Sequence, residues 1–311
     1  MRVIFLGTPG FAVPALERLA GAAGIELAGV VCQPDRQAGR GLESRVPEVK
    51  AAAIRLGLPL LQPQGIKGDE SQVWLERLRP EALAVVAYGQ ILPRRIFTLP
   101  LWGAINAHAS LLPKYRGAAP ISWALARGES VTGVTTMRID AGLDTGPMLL
   151  RRELAIGQDE TAPELSRRLA ALAADLLLET LLALERNAVE PRPQDPAQAT
   201  LAPPLVKEDG RVDWNLPARE IYNRWRGFQP WPGLHTSFRG QRLQLKRLRP
   251  VPATCAAARP GQLALIGGQL QAAGGQEALA LEEVQLAGRA AVGGADFARG
   301  ARLLPGDALG T

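Results

Sequence analysis

The segment INAHASLLPKYRGAAP, residues 105–120, holds one of only two histidines in a chain of 311 residues. Asn106 and His108 are two positions apart, and on an extended strand such residues project from the same face. The run GAINAHAS predicts a short strand that SLLP ends, which would bring a carboxamide and an imidazole together at a strand's carboxyl end. Aimed at one point, these two groups are equipped to stabilise an oxyanion. Downstream, VTTMRI reads as another strand, followed by a glycine-flanked loop that carries Asp140 and Asp144. A carboxylate on such a loop can approach an imidazole and hold it in one orientation, or favour its protonated form. Asp144 is bracketed by Gly142 and Gly146. Taken singly, a lone histidine also describes a satisfied structural residue and Asp-Thr-Gly an ordinary turn; only the combination is specific.

The elements that must position these side chains are legible as patterns. RVIFL, AVPALERLAGA, ELAGVV, PEVKAAAIRLG, LPLLQ and ALAVVA alternate apolar runs with amphipathic ones. Such alternation predicts an α/β fold with a doubly wound, mainly parallel sheet covered by helices on both faces. Its ligand site should lie beyond the carboxyl ends of the strands. Thr161 and Glu164 have capping-box spacing ahead of a helical apolar period from Leu165 to Leu184, ending at Asn187. The stretch VEPRPQDPAQATLAPPLV then carries five prolines and suits an extended connector. Short alternating runs such as RLQLKRL, GQLALI and EALALEEVQL follow, and predict a small barrel or curled sheet. The expected division is a domain over 1–189, a linker over 190–206 and a β-barrel domain over 207–311.

Composition narrows the function classes. Hydrophobic residues are 47% and charged residues 21% of the chain, without an apolar run long enough to span a bilayer. The opening MRVIFLGTPG breaks too early for a secretory signal, so a cytoplasmic chain without membrane partners is expected. Cys32 and Cys255 are far apart and suggest neither a disulfide nor a zinc site, and no metal is expected. The turn Gly7-x-x-Gly10 lacks the G-x-G-x-x-G spacing, and no G-x-x-x-x-G-K-[ST] loop occurs, which weakens an oxidoreductase using a nicotinamide cofactor. The net charge of +6 is uneven: from Lys207 onward fourteen Lys and Arg stand against nine Asp and Glu. The excess concentrates in RGQRLQLKRLR. With Leu243 and Leu245 facing inward, this strand would present Arg242, Lys246, Arg247 and Arg249 to a polyanion or simply to solvent. A non-catalytic RNA-binding protein would explain that charge, but it would leave Asn106, His108 and Asp144 idle.

Taken together, the string from Asn106 through HASLLPKYRGAAPI to GLDTGPML closely resembles the formyltransferase family that uses 10-formyltetrahydrofolate. FLGTPGFAVPAL, QPDRQAGRG, VVAYGQILP, GRVDWN and FQPWPG extend the resemblance along nearly the whole chain. The resemblance implies a Rossmann-like first domain and an oligonucleotide-fold-like barrel as the second. It also implies a catalytic set of Asn106, His108 and Asp144. For the folate formyl donor it implies Ser110, Leu111, Leu112 and Pro113 of the SLLP turn, with Tyr88, Gly89 and Ile91 of the AYGQILP loop. The acceptor implied is the free α-amino group of charged initiator methionyl-tRNA. Arg36, Arg40 and Arg45 of the loop at 34–46 would meet that tRNA, with Lys207 and the basic strand. A formyltransferase acting on glycinamide ribonucleotide or an amino sugar would share the catalytic three without needing that loop or the basic domain.

Overall fold

The computed structural model describes residues 1–38, 43–252 and 259–310. In chain order the first strands are β1 (Arg2–Gly7), β2 (Glu26–Val31), β3 (Arg36–Ala38), β4 (Glu43–Arg45), β5 (Leu60–Leu61), β6 (Ala82–Val86), β7 (Ala104–His108), β8 (Val131–Arg138) and β9 (Met148–Ala155). Seven of them form one sheet in the order β5-β2-β1-β6-β7-β8-β9, parallel from β5 to β7 and antiparallel beyond. Val3, Ile4, Phe5 and Leu6 are all fully buried, as a strand covered on both faces requires; this is why VIFL is continuously apolar rather than alternating. Helices α1 (Val13–Ala20), α2 (Glu48–Arg55), α3 (Asp69–Leu78) and α4 (Arg94–Phe97) lie along the chain between the parallel strands. One face of the sheet, with Ile4, Leu6, Leu83 and Val85, packs with Leu75 of α3 and Ile96 of α4. The segment at 34–46, expected as a loop, carries the β3–β4 hairpin, with Arg36 opposite Arg45. Arg40 and Cys255 lie outside the described residues, whereas Cys32 is buried in the core.

Two further helices follow, α5 (Pro120–Ala126) and α6 (Ala162–Glu185). Thr161 N and Oγ1 both donate to Glu164 Oε2, at 2.9 and 2.6 Å, which caps α6 where its sequence predicts. Along its buried stripe, Thr180 donates to Leu176 O at 2.7 Å and lies 2.8 Å from Thr136 Oγ1 of β8, so its buried hydroxyl is satisfied.

The chain divides into two compact units. The first contains residues 1–120, 131–155 and 165–203, and the second contains 121–130, 156–164 and 204–311. The proline-rich residues 190–203 fall in the first unit, where Arg192 bridges Met148 and Leu201 bridges Arg116. Prolines deny this segment a ladder, but single backbone bridges between them remain available.

The second unit contains α7 (Ala218–Gly227), then β10 (Leu234–Phe238), β11 (Gln241–Val251), β12 (Leu263–Ile266), β13 (Gln269–Ala273), β14 (Ala278–Leu286), β15 (Val292–Gly293) and α8 (Gly294–Gly300). Its antiparallel sheet runs β10-β11-β14-β13-β12, with β15 beside β14. Leu309 bridges Phe238 at the end of β10 and Ala308 bridges Gln262 before β12, so the final residues join the two edges of a curled sheet. Trp214, Ile221, Phe228, Leu243, Leu245 and Leu279 are among the residues that fill its core.

Candidate active site

Asn106 and His108 lie at the carboxyl end of β7, between parallel β6 and antiparallel β8. Period two on the strand places them on one face. Asn106 is half-buried, with Val85 and Met137 as its cross-strand partners; His108 is only 6% exposed and sits opposite Thr135.

The two ring nitrogens of His108 have different surroundings. Nε2 lies 2.9 Å from the main-chain oxygen of Tyr115. A carbonyl only accepts, so Nε2 carries a hydrogen. Nδ1 faces Asp144 Oδ2 at 3.6 Å. With Nε2 committed, Nδ1 is the nitrogen left for chemistry: a lone pair on the neutral ring, a donor when the ring carries a second proton. Tyr115 and Asp144, the residues that flank the ring, both have left-handed backbones, with φ of 60° and 52°. Such a conformation costs a non-glycine residue about 1–2 kcal/mol and persists where surrounding bonds over-determine it. Here they do. Tyr115 N donates to Thr200 Oγ1 at 2.9 Å, and Gly117 N donates to Asp144 Oδ2 at 2.8 Å.

The loop between β8 and β9 separates its two acids by role. Asp140 Oδ1 accepts from Gly142 N at 3.0 Å and Thr145 Oγ1 at 2.7 Å, so this carboxylate shapes its own turn. Asp144 is the acid that reaches His108. Gly146 must be glycine, because a Cβ there would stand 1.8 Å from Arg138 O. Gln194, in the proline-rich segment, donates from Nε2 to Asp144 O and Gly146 O, each at 2.8 Å. No periodicity marks Gln194, Tyr115 or Gly117 in the sequence, and two of the three act through main-chain atoms that any residue carries.

The SLLP turn is built as a fixed support. Thr135 Oγ1 donates to Ser110 O at 2.7 Å and accepts from Leu112 N at 3.0 Å, while Ser110 Oγ donates to Lys114 O at 2.6 Å. Ser110, Leu112 and Pro113 are buried and Leu111 is half-buried. On the neighbouring AYGQILP loop, Tyr88 is in the core, its carbonyl accepting from Thr8 Oγ1 at 2.8 Å and Gln33 Nε2 at 2.9 Å. Burial raises the Tyr88 hydroxyl well above its ordinary pKa. Gly89 and Ile91, the latter 76% exposed, face solvent. The surface that a ligand could touch from these two turns is therefore Leu111, Gly89 and Ile91 with exposed main chain.

The basic residues of the second unit are partly neutralised. A bulge at Lys246 and Arg247 interrupts the pairing of β11 with β14 and turns both side chains outward before Leu248 returns to the core. Glu282 of β14 then meets Arg247 Nε at 3.0 Å and Arg249 Nε at 2.9 Å. These residues line a groove of about 550 Å³ with Arg219, Tyr222 and Trp225 of α7. Arg242 is half-buried on the same strand, and Lys207 opens a short 3-10 turn. Arg36, in the first unit, is exposed and bonded to Gln33 Oε1. Among the described residues no helix is long and apolar enough to cross a membrane, and no three of His, Cys, Asp and Glu converge as metal ligands.

Residues 1–181 match the formyl transferase family, and residues 204–302 match the formyl transferase C-terminal domain. Over 310 residues, 100% of this chain and 99% of the relative, the sequence is 53% identical to the methionyl-tRNA formyltransferase of Solibacter usitatus. The chain belongs to the methionyl-tRNA formyltransferase family. It is also 51% identical over 312 residues to the methionyl-tRNA formyltransferase of Acidobacterium capsulatum, covering 100% of each. Solved structures with far lower identity support the fold. The methionyl-tRNA formyltransferase from Clostridium thermocellum aligns with a TM-score of 0.56 at 16% identity, covering 92% of this chain and 98% of that one. HypX from Aquifex aeolicus, in complex with tetrahydrofolic acid, aligns with a TM-score of 0.61 at 17% identity, covering 96% of this chain and 47% of that one. As a methionyl-tRNA formyltransferase family member, this chain pairs a mostly parallel catalytic sheet with a smaller antiparallel one.

Proposed function

We propose that this formyltransferase moves a formyl group from 10-formyltetrahydrofolate to the α-amino group of charged initiator methionyl-tRNA. The observation that carries the reading is the His108 ring at the end of β7: Nε2 is tied to Tyr115 O, and Nδ1 looks onto Asp144 beside Asn106. In the transfer, a C–N bond forms between the neutral amine and the formyl carbon. The bond from that carbon to the folate nitrogen breaks, and a proton passes from the attacking amine to the departing nitrogen. Negative charge develops on the formyl oxygen between these events. Asn106 donates its amide N–H to that oxygen, and His108 donates Nδ1–H once the ring holds its second proton. Asp144 orients the ring and carries the transferred proton onward. Each fixed donor is worth about 10²–10³ in rate, since it acts on charge present only in the transition state.

Leu111, Gly89 and Ile91 supply the exposed surface on which the folate rests, with Tyr88, Ser110, Leu112 and Pro113 shaping it from beneath. Arg36, Lys207, Arg242, Lys246, Arg247 and Arg249 meet tRNA phosphates, for which fixed guanidinium and ammonium donors are suited. The deciding assay offers purified protein 10-formyltetrahydrofolate with charged initiator tRNA, uncharged tRNA or glycinamide ribonucleotide. Transfer to the charged tRNA alone is expected. Transfer to glycinamide ribonucleotide and not to the tRNA overturns the reading.

A further inference from the structure

We propose that Gln194 is a positioning residue for formyl transfer: its carboxamide holds the Asp144 loop at the distance from His108 that the reaction uses. The inference rests on the role of Asp144 given above. The Gln194 amide is bonded at both of its ends, and its Nε2 also lies 3.9 Å from Met137 Sδ. The two hydrogens on Gln194 Nε2 go to Asp144 O and Gly146 O, each at 2.8 Å. Its Oε1 accepts from Arg116 Nε at 3.0 Å and Arg116 Nη2 at 2.7 Å. Every donor and acceptor site of the amide is thus used. Arg116 has only donors, so the amide cannot turn over without opposing like groups at both ends.

The geometry makes this more than packing. Both of these loop positions are constrained: Asp144 is left-handed, and Gly146 has no room for a side chain. Gln194 crosses between their carbonyls and ties them together. Its other end grips Arg116, which stands between Tyr115, whose oxygen binds His108 Nε2, and Gly117, whose N–H binds Asp144 Oδ2. The backbone of the same segment is stitched to this loop, Arg116 N donating to Thr200 O at 2.9 Å and Ala202 N to Arg116 O at 2.7 Å. One amide therefore links the loop that fixes the imidazole to the loop that carries the carboxylate. The separation it guards, 3.6 Å from Nδ1 to Oδ2, is loose enough that a small shift of the Asp144 backbone would change it substantially.

The test compares Gln194→Ala, Gln194→Glu and Asp144→Ala with the double variant Gln194→Ala/Asp144→Ala in the full-length protein. Turnover with 10-formyltetrahydrofolate and charged initiator tRNA is measured across pH, together with thermal unfolding. Gln194→Ala should lower kcat by roughly 10- to 100-fold, as expected for misplacement of a reacting group by about an ångström, and should alter the pH profile. KM for each substrate should stay within about threefold. Gln194→Glu keeps an acceptor for Arg116 but turns a carboxylate oxygen toward the two carbonyls, so it should lose at least as much. In the Asp144→Ala background, removing Gln194 should cost less than about twofold further, because the positioned group is already gone. Wild-type kcat and pH profile in the folded Gln194→Ala protein overturn the proposal, as does an equal loss in both backgrounds. Full activity in Asp144→Ala instead overturns the underlying role of Asp144, which separates the two failures.

Discussion

His108 Nδ1 and Asp144 Oδ2 are 3.6 Å apart, beyond hydrogen-bond length yet near enough for a charge on one to be felt by the other. Nε2 of the same ring is tied to Tyr115 O. The arrangement gives the histidine one fixed nitrogen and one working nitrogen.

Replacing His108 with Ala should reduce turnover by about 10²-fold or more while folate affinity changes little, since Nδ1–H acts on charge that appears during the reaction. Single-turnover formyl transfer with a parallel folate-binding titration measures both. Turnover close to wild type would remove His108 from the mechanism.

Gly146→Ala should damage stability and activity together. The new Cβ would stand 1.8 Å from Arg138 O and must push apart the strand end and the Asp144 loop. A cost of about 1–3 kcal/mol in urea unfolding is expected from overpacking against backbone. A fully stable and active variant would show that the loop accommodates the methyl group without moving Asp144.

His235 gives a pH prediction. Burial, then the nearby charges of Arg242, Lys207 and Arg211, hold its pKa below the ordinary 6.5. The unfolded chain then takes up this proton before the folded one does. The contribution is fully present above pH 6.5 and is lost as pH falls through the folded value. His235→Asn should therefore flatten the loss of stability on acidification below 6.5. Unfolding curves of both proteins at pH 5.5 and 7.5 test it, and identical slopes would refute it.

For tRNA, neutralising Arg242, Lys246, Arg247 and Arg249 together should reduce the slope of binding against salt, because fewer counterions are released. Glu282→Gln should do the opposite. That carboxylate occupies Arg247 and Arg249, and removing its charge frees two guanidiniums for phosphate. Filter binding of tRNA over a salt series reads both effects. No change in either variant would make this strand a solvated face.

Much of the framework is written locally. The continuous apolar run of β1, the two-residue period that pairs Asn106 with His108 and the capped helical period of α6 are properties of short windows, and the elements form where those windows lie. What the tertiary structure decided involves partners far apart in the chain. Asp140 and Asp144 have similar neighbours in sequence; only the approach of Gly117 and His108 assigns one to its own turn and the other to the site. That Lys246, Arg247 and Arg249 face outward while Leu248 stays in the core depends on a bulge against β14, whose Glu282 meets both arginines. Gln194 sits in a stretch whose prolines allow neither a ladder nor more than the short 3-10 turn at Pro196–Gln198, so it carries no period to read. Its place between Arg116, 78 residues away, and Asp144, 50 residues away, exists only once the chain has closed around β7 and β8. A periodic pattern reports which way a side chain faces on its own element; what it faces is set by which distant backbone the folded chain brings there.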